Sequence, residues 1–321
     1  MNIIFKSVLK EEMFSFIEFI KLSVIDWKSF LRTLSSLDSF LHTQNSMEKN
    51  LDAQQLACWL DGLNVQLSTK QSKLSHIRRF SGYLSTLGIT IRLPELPRNT
   101  GEFKPYVFSA DEMARIFETA DDYMLTSLNL NIAAEFPLLL RILYGCGLRL
   151  GEALSLKWDD VELPAGIITV KAAKHRKQRI VPMGGELVRI LSLHRTALCF
   201  ADEGHSLILK KHNGQRRSNG SYYSIFSRIL YELGIKNLQT MKYGSRGPRI
   251  HSLRHTFTLH SLLKAESEGR GFMETVPFLS TYLGHEKLMH TDKYLKARHE
   301  LYTKSHTTIT DYTRDVFPQE L

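Results

Sequence analysis

The sequence predicts a mainly α protein of two domains, the second carrying a small antiparallel sheet, and three observations predict it. Apolar residues recur at helical spacing from Phe14 to about Leu87. The stretch Leu93 to Pro105, LPELPRNTGEFKP, then concentrates three prolines and a glycine and cannot continue a helix. Beyond it, two adjacent segments, GIITVKAAK and KQRIVPM, alternate and are rich in β-branched residues within an otherwise helical chain. With 321 residues, 43% of them hydrophobic, the chain can bury one sizeable core or two modest ones, and its length favours two.

The elements follow in order. FSFIEFIKLSVIDW, SFLRTLSSLDSFL, LDAQQLACWLDGL and KLSHIRRFSGYLSTLG read as four helices separated by polar breaks. The proline-rich stretch is a linker, which sets a domain boundary near residue 103: a helical first domain over 1–103, linker included, and a second over 104–321. SADEMARIFETA opens with a Ser or Asp cap before an amphipathic helix. EFPLLLRILYGCGLRLGEALSLKW reads as two helices broken at Gly145 and Gly147. The two β-rich segments form a short hairpin or a three-stranded sheet, and everything beyond Tyr222 is again helical in pattern.

The formal charge of +9 and a pI near 9.3 fit a polyanionic partner, although basic enzymes and membrane-surface proteins share such values. The excess lies in the second domain: 12 basic against 10 acidic residues precede residue 104, and 30 against 23 follow. The densest run, KAAKHRKQR, holds Lys171, Lys174, Arg176, Lys177 and Arg179, which make either a solvated turn or a set of phosphate contacts. Arg78 and Arg79, adjacent on the fourth helix, are the matching cations of the first domain. Cys58, Cys146 and Cys199 are far apart, odd in number and without C-x-x-C spacing, which argues against a disulfide framework or a zinc–cysteine site and for a reducing cytoplasm. Glu11 and Glu12 interrupt any signal-peptide core, and no run reaches the roughly 18 apolar residues of a membrane span.

Four separated pieces carry the chemistry: GLRLGEAL with Arg149, the β segment with Lys174, HSLRH with His251 and Arg254, and LGHEKLMHTDKYL with His285 and Tyr294. His251 and Arg254, three apart, share a helix face, and Tyr294 follows His285 by nine residues. Together they hold every residue type needed to bind and cleave a phosphodiester. Forked guanidinium groups can clamp its non-bridging oxygens without a metal. A tyrosine hydroxyl can attack once a base takes its proton. His251 and His255 stand four apart, but Ser252 occupies the place where a zinc-binding H-E-x-x-H helix needs glutamate, so no metal is expected. Glu152 reads as a structural partner of nearby backbone or arginine.

Over roughly residues 105 to 300 this order of boxes resembles the tyrosine recombinases, that is, the phage integrases, Xer-type resolvases and their relatives. The resemblance implies a helical, SAM-like core-binding domain ahead of the catalytic domain, the two closing round duplex DNA as a C-shaped clamp. It implies that Tyr294 attacks the scissile phosphate, that Arg149 and Arg254 stabilise its charge, and that His251 accepts the tyrosine proton. His285 hydrogen-bonds the phosphate or steadies the site, and Lys174, placed by counting back from Val181-Pro182, protonates the departing 5′ oxygen. No cofactor is needed.

The partners implied are double-stranded core sites and a homotetramer on DNA, with or without sister recombinases, in the cytoplasm on the nucleoid. The wording LSTYLGH and the longer spacing between the histidine boxes resemble recombinases of mobile elements, which points to integration or excision, and an arm-site DNA-binding domain is not expected. Two alternatives share these residues or their fold: a type IB topoisomerase-like enzyme that relaxes supercoils as a monomer, and a catalytically silent DNA-binding regulator. Tyr282, Tyr302 and Tyr312 could serve as nucleophiles by chemistry alone, but none has the nine-residue offset.

Overall fold

The computed structural model describes residues 4–22, 26–97, 105–126, 130–171, 178–197, 205–211, 213–236 and 247–284. The chain divides into two compact units, Met1–Glu102 and Phe103–Leu321.

The first unit holds α1 (Lys10–Lys21), α2 (Trp27–Thr43), α3 (Ala53–Asp61) and α4 (Leu67–Ser85). On α1 the residues Met13, Phe16, Ile17 and Ile20 are buried, the i, i+3, i+4, i+7 stripe of an amphipathic helix. They join Phe30, Leu34, Leu37 and Leu41 of α2 and Leu74, Ile77, Phe80 and Leu84 of α4 in one core. The Phe16 ring lies 5.0 Å from that of Phe80 and 6.1 Å from that of Phe30. Burying each such side chain contributes about 1.5–3 kcal/mol. The start of α1 is fixed by a buried carboxylate, since Asp38 of α2 accepts from the backbone N–H of Lys6 and Ser7 at 2.8–3.0 Å. A reciprocal capping box between Asp52 and Gln55 opens α3.

The second unit holds α5 (Ala110–Thr126), α6 (Leu130–Gly145), α7 (Leu150–Ala153), β1 (Val161–Glu162), β2 (Ile167–Lys171), β3 (Gln178–Pro182), α8 (Gly185–Ala197), α9 (Asn219–Glu232), α10 (Ser252–Ser267) and α11 (Phe272–Leu283). Ser109 and Glu112 cap α5 reciprocally, with Glu112 N donating to Ser109 Oγ and Ser109 N to the Glu112 carboxylate. Residues Phe136 to Cys146 of α6 and its end are buried almost without interruption, Arg141 excepted, because α5, α8 and α10 surround that helix. The β-rich segments form a three-stranded antiparallel sheet in the order β1-β2-β3, with Ile168 opposite Val181 and Val170 opposite Arg179. Ile168, Val170 and Val181 face the core, while Ile180 points outward, as period-two alternation requires.

One element departs from expectation. The second helix foreseen across GLRLGEALSLKW is a single turn, α7. Past it the backbone is drawn into extended pairing, with Ile208 N donating to Leu156 O at 3.0 Å and Trp158 N to Ser206 O at 3.1 Å. These long-range bonds outweigh a local periodicity that could equally have continued the helix.

Candidate active site

Three of the expected residues converge on one carboxylate. The break after α6 is made by Gly147, whose φ of +59° is left-handed, and a β-carbon there would meet the Phe257 ring at 2.4 Å. The chain thus turns sharply and sets Arg149 at the N-cap of α7. Glu152, three residues on, reaches back: its carboxylate accepts from Arg149 N and Arg149 Nη1, both at 2.8 Å. Arg149 keeps 45% of its side chain exposed.

Arg254 comes to the same place from the first turn of α10. It is only 3% exposed, donates through Nη1 to the Gly147 carbonyl at 2.7 Å and through Nη2 to the Leu283 carbonyl at 2.6 Å, and lies 3.8 Å from Glu152 Oε2. Buried guanidinium is costly unless paired, and here two main-chain carbonyls and a nearby carboxylate supply the partners. His251 stands one turn before it, its ring edge-on to that of His255 at 4.8 Å. Burial, then the charges of Arg254, Arg249 and Arg149, push the His251 imidazole down to about 4, with Glu152 opposing. It is therefore uncharged at pH 7.

Arg179 departs from the solvent-facing phosphate contact that its basic neighbours suggested. Its side chain is 14% exposed and turned inward, with Nη2 and Nη1 on the two Glu152 oxygens at 2.7 and 3.1 Å and Nε on the Tyr282 carbonyl at 2.9 Å. The signal was present in the sequence, since Arg179 lies two residues before buried Val181 and so shares its face of β3. Burial alone would raise the Glu152 carboxyl, but the hydrogen bonds and charges of Arg179 and Arg149 bring it down to about 2. Glu152 is thus the structural partner that its position suggested, shared by three arginines.

The other expected residues lie apart or outside the description. Lys171 pairs with Asp160 at the end of β2. Arg78 and Arg79 belong to the first unit, both exposed on α4, with the Arg79 guanidinium 5.9 Å from the Phe30 ring centroid. Lys174, Arg176, Lys177, His285 and Tyr294 fall outside the described residues, as do Tyr302 and Tyr312. Tyr282 is partly buried and stacked on Phe257 at 5.5 Å, and burial holds its phenol well above the ordinary value, so it is poorly suited to attack. Among the described residues no group of three or more His, Cys, Asp or Glu side chains is placed to hold a metal ion, and no helix is long and apolar enough to cross a membrane.

Residues 107–300 match the model of the phage integrase family. Among curated proteins, the chain is 30% identical over 277 residues to tyrosine recombinase XerC of Xanthomonas campestris pv. campestris, covering 83% of this chain and 76% of that one. It is 28% identical over 298 residues to XerC of Oceanobacillus iheyensis, covering 87% and 89%. Among solved structures, the XerH site-specific recombinase bound to palindromic difH substrate, a post-cleavage complex, aligns over 86% of this chain and 78% of its own with a TM-score of 0.63 at 21% identity, which shows a common fold.

Proposed function

Because the chain belongs to the phage integrase family and is a tyrosine recombinase, an enzyme that cleaves and rejoins DNA, we propose that Tyr294 is its nucleophile and that Arg149, Lys174, His251, Arg254 and His285 complete its active site. The observation that carries this reading is the convergence of Arg149, Arg254 and a neutral His251 beside Glu152. Two guanidinium groups provide fixed positive charge where the five-coordinate transition state accumulates negative charge on the non-bridging oxygens.

In the reaction proposed, His251 takes the Tyr294 proton as the phenolate oxygen forms its bond to phosphorus. The bond from phosphorus to the 5′ oxygen breaks, and Lys174 gives that oxygen a proton, while His285 hydrogen-bonds the phosphate or steadies the site. The products are a 3′-phosphotyrosine and a free 5′ hydroxyl. One phosphodiester has been exchanged for another, so a second 5′ hydroxyl can reverse the step on a new partner without nucleotide hydrolysis.

Residues 1–103 serve in this reading as the core-binding domain, with Arg78 and Arg79 on backbone phosphates, and residues 104–321 as the catalytic domain, with Lys171, Arg176 and Lys177 on the hairpin side. Strand exchange between two sites needs four cleavages, hence a tetramer on DNA, and the LSTYLGH wording supports integration or excision of a mobile element as the biological outcome. Incubation with a nicked suicide substrate followed by denaturing electrophoresis tests the reading. Wild type accumulates a covalent protein–DNA adduct and Tyr294→Phe binds DNA but forms none; an adduct with Tyr294→Phe removes Tyr294 as nucleophile.

A further inference from the structure

We propose that Arg179 is a positioning residue for catalysis: by occupying both oxygens of Glu152 it limits Arg149 to a single side-chain bond with that carboxylate and so keeps the remaining Arg149 guanidinium donors available to the substrate phosphate. The inference rests on the role given to Arg149 above.

The geometry supports it at each contact. Arg149 and Glu152 stand three apart around a single helical turn, a spacing at which an arginine and a carboxylate readily pair. A fork-to-fork pair between them would be the strongest arrangement open to both groups and would consume the donors that a phosphate needs. That arrangement is not formed. Arg179 takes Glu152 Oε2 at 2.7 Å and Oε1 at 3.1 Å, and Arg149 is left with one side-chain bond, from Nη1 to Oε1, besides its backbone N–H.

Arg179 is itself immobilised. Its Nε donates to the Tyr282 carbonyl at 2.9 Å, and the backbone of Gly284 passes so close that a β-carbon there would lie 3.4 Å from Arg179 Cδ and Nη1. Gly284 ends α11 in the left-handed conformation, φ +65°. One side chain therefore ties β3, the turn bearing Arg149 and the C-terminal end of α11 together, and Arg254 bonds the neighbouring Leu283 carbonyl from the other side. Arg179→Lys is the informative change. An ammonium is a point donor on a flexible stem and cannot hold both Glu152 oxygens and the Tyr282 carbonyl in one plane.

Covalent-adduct formation at saturating DNA, the dissociation constant for the same DNA and the thermal midpoint are measured on the full-length protein for Arg179→Lys, Glu152→Gln and the double variant. Misplacing a reacting group by an ångström costs roughly 10²-fold, so each single variant is expected to lose about that much rate, with DNA affinity within threefold of wild type. Because both act through one contact, the double variant should be no more than about threefold slower than the slower single one. The inference is overturned by any of four results: Arg179→Lys reacting within threefold of wild type, losses that multiply in the double variant, rate loss matched by affinity loss, or Arg179→Lys unfolded at the assay temperature, which would make Arg179 a fold-holding residue. If wild type itself forms no adduct, it is the reading of the active site that fails.

Discussion

Glu152 holds two arginine side chains in place through its carboxylate. Its carboxyl, held at about 2, stays ionised throughout the working range and anchors Arg149 and Arg179. His251 and His260 are both pushed down to about 4, His251 by burial and then the arginine charges, and His260 by burial beneath its bond to the Tyr144 hydroxyl. Both are neutral when folded and protonate near 6.5 when unfolded, so between those values the unfolded chain binds more protons. Stability is therefore full above about pH 6.5 and is lost as pH falls toward 4. The thermal midpoint should drop over that window, with a shallower slope in His260→Gln; a midpoint that holds or rises on acidification would contradict the assignment. Gly147→Ala should also destabilise strongly, since the left-handed backbone costs about 1–2 kcal/mol for a residue with a β-carbon and the overlap with Phe257 adds about 1–3 kcal/mol. Calorimetry showing an unchanged midpoint would mean that the turn relaxes freely.

At the scale of elements, what is legible in the sequence follows from local rules. The Ser109–Glu112 cap, the stop at Gly145 and Gly147 and the β alternation before Val181-Pro182 each depend on residues within a few positions of one another. The one-turn α7 and the inward Arg179 depend instead on Ile208, Ser206, Glu152 and Tyr282, from distant parts of the chain, and no periodicity names such partners. Arg149, His251 and Arg254 were legible as types in order, but their meeting at Glu152 was not, because it depends on side chains that reach the turn around α7 from β3 and α10. The strand pair β2–β3 also bears on Lys174, which follows Lys171 by three residues. Lys174→Ala should slow cleavage of ordinary DNA by roughly 10²- to 10⁴-fold, as loss of a general acid does. A 5′-bridging phosphorothiolate substrate, whose thiolate departs without that proton, should be cleaved almost normally by Lys174→Ala but still slowly by Arg149→Ala. Rescue of Lys171→Ala or Lys177→Ala instead would shift the acid to that lysine.

For the molecule as a whole, two compact units with separate cores and a net charge of +9 suit a protein that contacts many phosphates. DNA affinity should fall linearly in log–log form as salt is raised, through counterion release. Cleavage should proceed undiminished in EDTA and without nucleotide, because in the proposed mechanism Arg149 and Arg254 supply the charge at the phosphate and the covalent link preserves the bond energy; a magnesium requirement in the cleavage step would contradict that. The site of DNA attachment tests the assignment of Tyr294 as nucleophile most directly. Adduct trapped on a nicked suicide substrate, digested with nuclease and trypsin and mapped by mass spectrometry, should carry its 3′-linked nucleotide on the peptide that begins at Tyr294; attachment at Tyr282, Tyr302 or Tyr312, or through a 5′ phosphate, would contradict it.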